Sequence, residues 1–344
     1  MKKIHYFCFG LFILSGLNAG AQKKQSSSPD DYTAPRMRII IDNDFEGDPD
    51  GYFQLVQHVL SPSVEIRGII GSHLPNGGGF SKAGNTAEEA CQKAEEVLKL
   101  MGLSGKYKVV PGAREGIKKI DEPQDSEGAR LIIEEAMRTD TDLPLYVVCG
   151  AGLTNIASAW LLKPEIADHL TLIWIGGPEY DGFIPPPGDG PLEYNMGICI
   201  PAAQAVFNNS KIPIWQVPRN VYRQCIFSVS EMMADIAPAS EVGAYLTQVI
   251  KDEIKLNRFG GKMGEVYILG DSPLVLLTSL QTGFGRDPAS SQYMVKQAPD
   301  IASDGTYRYN PKGRSIRVYT WLDTRLMFSD MVSKFKLLRK KQQR

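Results

Sequence analysis

Hydrophobic positions along the chain fall into two recurring patterns, short continuous apolar runs and longer stretches with apolar residues at helical spacing. The runs predict buried strands, and the longer stretches predict amphipathic helices. Their alternation is typical of an α/β fold with a mainly parallel β-sheet and helices on both faces. The predicted strands are 38–41, 64–70, 107–110, 144–149, 171–175, 212–217 and 315–320. The predicted helices are 51–60, 86–101, 126–138, 153–162 and 201–208, and residues 228–258 and 273–281 are expected to be mostly helical.

The first 21 residues have a different character. Two lysines at positions 2 and 3 precede an apolar run over 4–17, and small residues follow at 19–21. This three-part pattern predicts a secretory signal peptide cleaved after Ala21, which directs the protein to the periplasm or outside the cell. The apolar run is shorter than the about 20 residues of a membrane span. We expect a polar linker over 22–36, a single domain over 37–338 and a basic tail over 339–344.

Composition and charge narrow the class of protein. With 43% hydrophobic and 22% charged residues, the chain of 344 residues is typical of a soluble globular protein. Loss of the two lysines leaves 36 basic against 39 acidic residues, a net charge near −3, which argues against nucleic acid as a partner. Cysteines remain at 91, 149, 199 and 225 without any CxxC motif, so a zinc ribbon is excluded. Cys149 and Cys199 are interpreted as small buried hydrophobes, and one disulfide remains open.

Four aspartates follow the first predicted strand within nine residues, at the sheet edge where ligands bind. They are Asp42, Asp44, Asp48 and Asp50. Crowded carboxylates repel one another unless a hard, oxygen-preferring cation neutralises them. An EF-hand loop is excluded because a strand precedes the cluster and no Glu stands at the twelfth position. The alternative is a solvated acidic turn in which Asp50 caps the following helix.

Five segments together resemble the inosine-uridine-type nucleoside hydrolases. The N-terminal signature is Ile-Ile-Ile-Asp-Asn-Asp at 39–44 with Gly-Asp-Pro-Asp at 47–50. It is joined by Gly-Ala-Gly-Leu-Thr-Asn-Ile-Ala at 150–157, Ile-Gly-Gly at 175–177, Glu-Tyr-Asn at 193–195 and Gly-Asp-Ser-Pro at 270–273. These segments stand in the order of the family, so the resemblance spans about residues 37–335. It implies a nucleoside-hydrolase-like, Rossmann-like open sheet and hydrolysis of the N-glycosidic bond of ribonucleosides.

The resemblance also implies a calcium ion that binds the ribose 2- and 3-hydroxyls and the attacking water. The implied ligands are Asp44, Asp50, the carbonyl of Gly150 and Asp271. Asp44 is also the implied general base, and Asp42 supports the site from behind. The residues implied to contact the sugar are Asp48, Glu193 and Asn195. From the residues alone, the turn at Gly150 is also compatible with phosphate binding at a helix N-terminus, and Asp271 fits a helix N-cap equally well.

The sequence departs from the family pattern on the side of the leaving group. Gly270 occupies the position where many members carry a proton-donating His, and Pro49 separates the paired aspartates. His73, at the end of the second strand, is the one imidazole suitably located to contact substrate. Arg219, Asn220, Tyr222 and Arg223 are candidates for the other wall of the pocket.

These departures leave alternatives open. One is a hydrolase of another ribosyl or glycosyl compound on the same scaffold, and the other is a non-catalytic exported sugar-binding protein. The expected partner is a small nucleoside or glycoside, with no nucleic acid and no membrane after cleavage of the signal. A homodimer or homotetramer is compatible with the sequence.

Overall fold

The computed structural model describes residues 33–75, 84–184, 192–256, 264–282 and 290–342, with side chains up to 338. The predicted signal peptide and most of the linker lie outside the described residues, as do the three consecutive prolines at 185–187. From Ala34 onwards the chain forms one unit. No helix among the described residues is long and apolar enough to cross a membrane.

Strands and helices alternate over most of the chain, as the hydrophobic pattern predicts. The strands are β1 (Met37–Asn43), β2 (Val64–Gly71), β3 (Val109–Pro111), β4 (Leu145–Cys149), β5 (Leu170–Ile175), β6 (Ile214–Val217), β7 (Ile226–Ser228), β8 (Val266–Ile268), β9 (Ser291–Gln297), β10 (Asp300–Ile301), β11 (Tyr307–Arg308) and β12 (Ser315–Leu322). The helices are α1 (Asp50–Val59), α2 (Thr86–Leu100), α3 (Glu127–Ala136), α4 (Thr154–Leu162), α5 (Tyr194–Ile198), α6 (Ile200–Gln204), α7 (Arg219–Tyr222), α8 (Val229–Glu231), α9 (Glu241–Leu256), α10 (Pro273–Leu276) and α11 (Thr324–Gln342).

The main sheet has eight strands in the order β3-β2-β1-β4-β5-β6-β12-β9. All neighbours pair in parallel except β12 and β9, which are antiparallel. The chain winds outward from β1 to β3, returns to β4 beside β1, and then winds in the opposite direction. The predicted α/β class with a mainly parallel sheet is confirmed. The order reverses between β1 and β4, so a crevice is expected beyond their carboxyl ends.

Side chains on the two faces of the sheet enter two hydrophobic clusters. Ile39 and Ile41 point to one face, where they join Phe53 of α1 and Phe335 of α11. Ile40 points to the other face, where it packs with side chains of α3 and α4. A strand buried on both faces is continuously apolar, which explains the run at 39–41. This packing fixes the end of β1 and the acidic loop that follows it.

Several elements differ from the pattern-based expectation. The strand β9 was not predicted, because its apolar residues at 293–295 are flanked by polar ones and are mostly exposed at the sheet edge. The helix expected over 273–281 is α-helical only over Pro273–Leu276. The helix expected over 201–208 continues from α6 as a π-helical turn, Ala205–Asn209. The final helix α11 extends to Gln342, into the segment expected to be a tail.

Candidate active site

A cleft of about 400 Å³ opens where β1 and β4 end, at the reversal of strand order. Its lining includes the seven residues that the resemblance implied as metal ligands or sugar contacts in this cleft, namely Asp44, Asp48, Asp50, Gly150, Glu193, Asn195 and Asp271. The acidic loop after β1 supplies the first three. Gly150 follows β4, and Asp271 directly precedes the turn into α10. Residues from position 44 to position 271 therefore meet at one edge of the sheet.

Backbone and side-chain hydrogen bonds hold the carboxylates of this cleft in place. Asp50 Oδ2 accepts a hydrogen bond from the backbone N–H of Asp271 at 3.0 Å, and Asp271 Oδ2 accepts one from Asn43 Nδ2 at 2.8 Å. Asp48 Oδ1 accepts from the hydroxyl of Tyr267 at 2.8 Å and from the Asp50 N–H at 3.3 Å. These bonds join the acidic loop to the segment that carries Asp271.

The observed contacts leave little support for the capping alternatives. The side chain of Asp50 makes no N-cap bond at α1, which begins at Asp50 itself with Pro49 in the cap position. The N-cap position of α10 is Ser272, again without a side-chain cap bond. Both aspartates therefore direct their carboxylates into the cleft instead of onto a helix N-terminus.

The carboxylates of the cleft are buried or half-buried, and this burial perturbs their ionisation. It is the largest cause that raises the pKa of Asp44 well above its usual value, and the charges of Asp271 and Asp48 add to it. Burial, followed by the charges of Asp271 and Asp48, likewise raises the pKa of Asp50. Burial raises the pKa of Asp271 to about 7, against the opposing hydrogen bond from Asn43. The cluster therefore resists carrying all its negative charges at once.

Asp42 lies behind the cleft and is fully buried. Its Oδ1 accepts hydrogen bonds from Ser72 Oγ at 2.5 Å and from Asn155 Nδ2 at 3.0 Å. Asn155 Oδ1 in turn accepts from the backbone N–H of Ala113 at 2.8 Å. Burial raises the pKa of Asp42 to about 6, although the bonds from Ser72 and Asn155 lower it. These contacts connect the end of β1 with the ends of β2 and β3 and the start of α4.

Glu193 and Asn195 form a second polar wall. Glu193 Oε2 accepts from the backbone N–H groups of Gly177 at 2.7 Å and of Met196 at 2.9 Å, and Oε1 accepts from the hydroxyl of Tyr222 at 2.8 Å. Asn195 Nδ2 donates to the carbonyls of Ile175 at 2.8 Å and of Gly150 at 3.3 Å. Both side chains are thus held by the ends of β4 and β5 and point along the cleft.

His73 is not among the described residues that line the cleft. Its Nε2 lies 2.8 Å from Thr154 Oγ1 and its Nδ1 lies 3.2 Å from the carbonyl of Leu74, so both ring nitrogens have partners. Burial lowers the pKa of this imidazole. The residue follows β2, which is displaced by one strand from the reversal at β1 and β4, and its ring turns towards the start of α4.

The donor set was tested for its fit to a hard cation. Asp44, Asp50, Asp271 and the carbonyl of Gly150 supply only oxygen atoms, which Ca²⁺ prefers. A Cβ built on Gly150 would lie 2.6 Å from both carboxylate oxygens of Asp271, so this carboxylate lies directly against the end of β4. Within the described part of the chain, no group of three or more His, Cys, Asp and Glu side chains is arranged so that it could hold a metal ion. A cation here would thus need carbonyl, substrate or water oxygens as well, in keeping with the six to eight ligands of Ca²⁺.

The amino-acid sequence matches the family described as inosine-uridine preferring nucleoside hydrolase over residues 39–293. The chain belongs to this family. It is therefore a nucleoside hydrolase-type enzyme, a glycosidase that hydrolyses N-glycosyl compounds, as the five sequence segments predicted. No curated protein matches the chain.

Solved structures of nucleoside hydrolases share the fold. A plant nucleoside hydrolase has 17% sequence identity and a TM-score of 0.67, over 88% of this chain and 99% of its own. A purine-preferring ribonucleoside hydrolase from Gardnerella vaginalis has 19% identity and a TM-score of 0.68, over 88% and 99%. An inosine-uridine preferring nucleoside hydrolase from Bacillus anthracis has 13% identity and a TM-score of 0.61, over 87% and 99%. At these identities the likeness is one of fold.

The departure of this nucleoside hydrolase from the family pattern at position 270 lies against one of the paired aspartates. A Cβ on Gly270 would lie 3.2 Å from Asp50 Oδ2 and 3.4 Å from the ring of Tyr222. The first distance is tight for a side chain and the second is an ordinary contact, so the carboxylate of Asp50 borders the space that a larger residue at position 270 would need. The glycine at 270 therefore fits the observed position of the Asp50 carboxylate.

Several residues that line the cleft were not predicted from the sequence. Tyr194, Tyr267 and Ile268 line it together with the anticipated Tyr222 and Arg223. Of the other two wall candidates, Arg219 pairs with Glu179 at 2.6 Å, and neither Arg219 nor Asn220 is among the described lining residues. Tyr267 lies in a three-residue strand, β8, whose pattern carries no signal of a site. Tyr194 stood between two singled-out residues, so its position in the loop was the only available sign.

Proposed function

We propose that this protein is a calcium-dependent hydrolase of ribonucleosides, in which Asp44 takes the proton of a water that attacks C1 of the ribose. The observation that carries the proposal is the convergence of four carboxylates in one cleft, buried at positions 44 and 271 and half-buried at 48 and 50, where loss of contact with water raises their pKa values. Such a cluster is stabilised by a hard cation. The family relationship supplies the class of reaction.

In this proposal Asp44, Asp50, Asp271 and the Gly150 carbonyl hold the calcium ion. The bound ion supplies positive charge that orients the ribose 2- and 3-hydroxyls and makes a neighbouring water easier to deprotonate. Addition of calcium to chelator-treated protein should raise its melting temperature, because a ligand that binds only the folded state stabilises it. An unchanged melting temperature at millimolar calcium would refute the metal assignment.

The sugar is held by residues with fixed acceptors and donors. Asp48 accepts a hydrogen bond from a ribose hydroxyl, and the bond from Tyr267 orients its carboxylate. Glu193 and Asn195 contact the remaining hydroxyls, with Glu193 oriented by Tyr222 and three backbone N–H groups. Positive charge that develops on the ribosyl ring as the C–N bond breaks is stabilised by nearby carboxylates, as in other glycosyl transfers.

The leaving group departs on the side of the aromatic residues. Tyr194, Tyr222 and Ile268 offer flat and apolar surface for a nucleobase, and Arg223 lies beside them. No histidine is among the described residues that line the cleft. Burial, followed by the charge of Glu193, raises the pKa of Tyr222 well above its usual value, so its hydroxyl is a poor proton donor. We propose that the guanidinium of Arg223 stabilises the electron pair that the base carries away.

A substrate panel tests the proposal. Chromatography should detect free base and ribose from ribonucleosides, whereas 2′-deoxynucleosides, which lack one of the two oriented hydroxyls, should react far more slowly. Aryl ribosides and O-glycosides in the same panel test the alternative of another glycosyl substrate. Hydrolysis of an O-glycoside in preference to every ribonucleoside would contradict the proposal.

We further propose that the protein acts after export, in the periplasm or outside the cell. The support is the basic, apolar and small-residue pattern over residues 1–21. Mass spectrometry of protein from the exported fraction should give an N-terminus at Gln22. An intact N-terminus at Met1 in protein from the cytoplasm would contradict export.

A further inference from the structure

A chain of buried polar side chains runs from the carboxylate of Asp271 into the protein core. Asn43 Nδ2 donates to Asp271 Oδ2 at 2.8 Å, and also to Gln54 Oε1 at 3.4 Å. Gln54 Nε2 lies 2.5 Å from His58 Nδ1, and His58 Nε2 lies 2.9 Å from Thr278 Oγ1. The chain thus joins β1, α1 and the segment after α10, and it ends on a residue of the cleft.

The donor and acceptor roles along this series of side chains are fixed, starting from Thr278. The hydroxyl of Thr278 donates its one proton to the carbonyl of Leu274 at 2.6 Å, so towards His58 it acts as an acceptor. His58 therefore carries its proton on Nε2, and its Nδ1 accepts from the amide of Gln54. With its amide so oriented, Gln54 presents its oxygen to Asn43.

This orientation fixes the role of Asn43. Both protons of its amide point outward, one to Gln54 and one to Asp271. Its own Oδ1 is buried and has no hydrogen-bond partner among the described residues. A flip of the Asn43 amide would place that oxygen against the Asp271 carboxylate, and Gln54 opposes the flip because its oxygen needs a donor.

The side chains of this hydrogen-bonded series are closed to water. Asn43 is 1% exposed, and Gln54, His58 and Thr278 are 0% exposed. A Cβ on Gly51 would lie 3.0 Å from Asn43 Nδ2, so the glycine at the first turn of α1 leaves room for the amide. Burial lowers the pKa of His58 to about 3, which keeps the ring neutral at ordinary pH and preserves its one donor and one acceptor.

We propose that Gln54, His58 and Thr278 are positioning residues that hold the Asp271 carboxylate, through Asn43, in the orientation needed to bind calcium. The proposal rests on the proposed function, in which Asp271 is a calcium ligand. Removal of an outer hydrogen-bond partner of a metal ligand typically costs 10- to 100-fold in metal affinity. The effect should therefore appear in calcium affinity, apart from any effect on stability.

Gln57 provides a matched control for Gln54. It lies on the same helix and is also 0% exposed, but its amide donates to the carbonyl of Met327 at 3.1 Å and to Asp330 Oδ2 at 2.8 Å, away from the cleft. Substitution of either glutamine by Leu removes one buried amide. Gln54→Leu and Gln57→Leu should both lower the melting temperature, whereas only Gln54→Leu should weaken calcium binding, by up to about tenfold because Gln54 acts on Asp271 through Asn43.

Substitutions of Thr278 provide a second pair of variants, which remains informative if Gln54→Leu fails to fold. Thr278→Val keeps the shape and removes the hydroxyl, whereas Thr278→Ser keeps the hydroxyl. Calcium dissociation constants from isothermal titration calorimetry should rise for Thr278→Val and stay near the wild-type value for Thr278→Ser.

The possible results distinguish the proposed positioning of Asp271 by Thr278, His58 and Gln54, here called the relay, from the metal site itself. Equal calcium affinities of wild type, Gln54→Leu and Thr278→Val would refute the relay and leave the metal site intact. Equal losses in Gln54→Leu and Gln57→Leu would also refute the relay, because general destabilisation would then explain both. A wild-type protein that binds no calcium would refute the metal site and the relay together.

Discussion

Replacement of Gly150 by Ala should separate the function of the cleft from the stability of the fold. The added Cβ would lie 2.6 Å from Cγ and from both oxygens of the Asp271 carboxylate. The backbone of Gly150 is outside the left-handed region, so alanine can adopt its conformation. The carbonyl of residue 150, a proposed calcium ligand, is retained. The direct effect of the substitution is therefore a displacement of Asp271.

The size of that displacement follows from ordinary contact distances. Non-bonded heavy atoms approach to about 3.5 Å, so the carboxylate must retreat by about 0.9 Å from the new methyl group. Its bond from Asn43, 2.8 Å long in the wild type, would then be stretched or broken. A misplacement of about 1 Å in a catalytic site can cost about 100-fold in rate. We expect kcat/KM for ribonucleosides to fall by about that factor.

Gly152→Ala is the matched control. Its Cβ would lie 2.5 Å from Cγ2 of Ile198, so the clash is as severe but falls on an aliphatic side chain. Overpacking of this kind costs about 1–3 kcal/mol of stability. Steady-state kinetics and thermal unfolding of both variants should show lost turnover in Gly150→Ala and lost stability with near wild-type turnover in Gly152→Ala. Equal turnover in the two variants would refute the placement of Asp271 in the site.

Three further predictions concern single residues. Asp44→Asn should lower kcat by about 10²- to 10⁴-fold through loss of the base, and unchanged turnover of a folded variant would exclude that role. Tyr267→Phe should cost about 1 kcal/mol of substrate binding, or about fivefold in KM, because Asp48 loses a donor; an unchanged KM would contradict this. Burial lowers the pKa of His58 to about 3 from 6.5 in the unfolded chain, so its stabilising effect is complete above pH 6.5 and is lost as the pH falls towards 3. Urea unfolding should therefore show that the free energy of unfolding falls more steeply in acid for wild type than for His58→Gln, by up to about 1.4 kcal/mol per pH unit. Equal slopes for the two proteins would contradict this role of His58.

Much of the fold could be predicted because both faces of the main strands are buried. Burial on both faces imposes continuous apolar runs, which the sequence carries at 39–41 and 172–175. The edge strand β9 escaped prediction because Met294 and Val295 are exposed, at 48% and 66%, so no burial pattern marks the strand. The order of the strands in the sheet also could not be predicted from the hydrophobic pattern, because the pairing of β12 with β6 depends on contacts between residues far apart in the sequence.

The candidate site was predictable where motifs follow strands. Asp44, Gly150 and Asn195 stand directly after strands or beside a recognisable motif, and the topology brings them to one edge. His73 satisfied the same rule, yet its ring bonds to Thr154, because position after a strand does not determine the direction of a side chain. Tyr267 was missed for the opposite reason, as its contact with Asp48 joins residues 219 positions apart.

For the cysteines, burial could be predicted from the sequence but pairing could not. Cys149 and Cys199 are buried, as predicted from their apolar surroundings, and the four cysteines at 91, 149, 199 and 225 are all free thiols. Apolar neighbours along the sequence indicate burial well. They carry no information about which two side chains come within bonding distance, so the question of a disulfide needed the fold.

The dependence of nucleoside hydrolysis on calcium would establish the metal site and its role together. The measurement is the release of free base from a ribonucleoside by protein that is first treated with EGTA and then titrated with calcium. We expect no release after EGTA and a return of activity that saturates with calcium, with Asp44→Asn inactive throughout. Full activity in excess EGTA would refute the calcium-dependent mechanism.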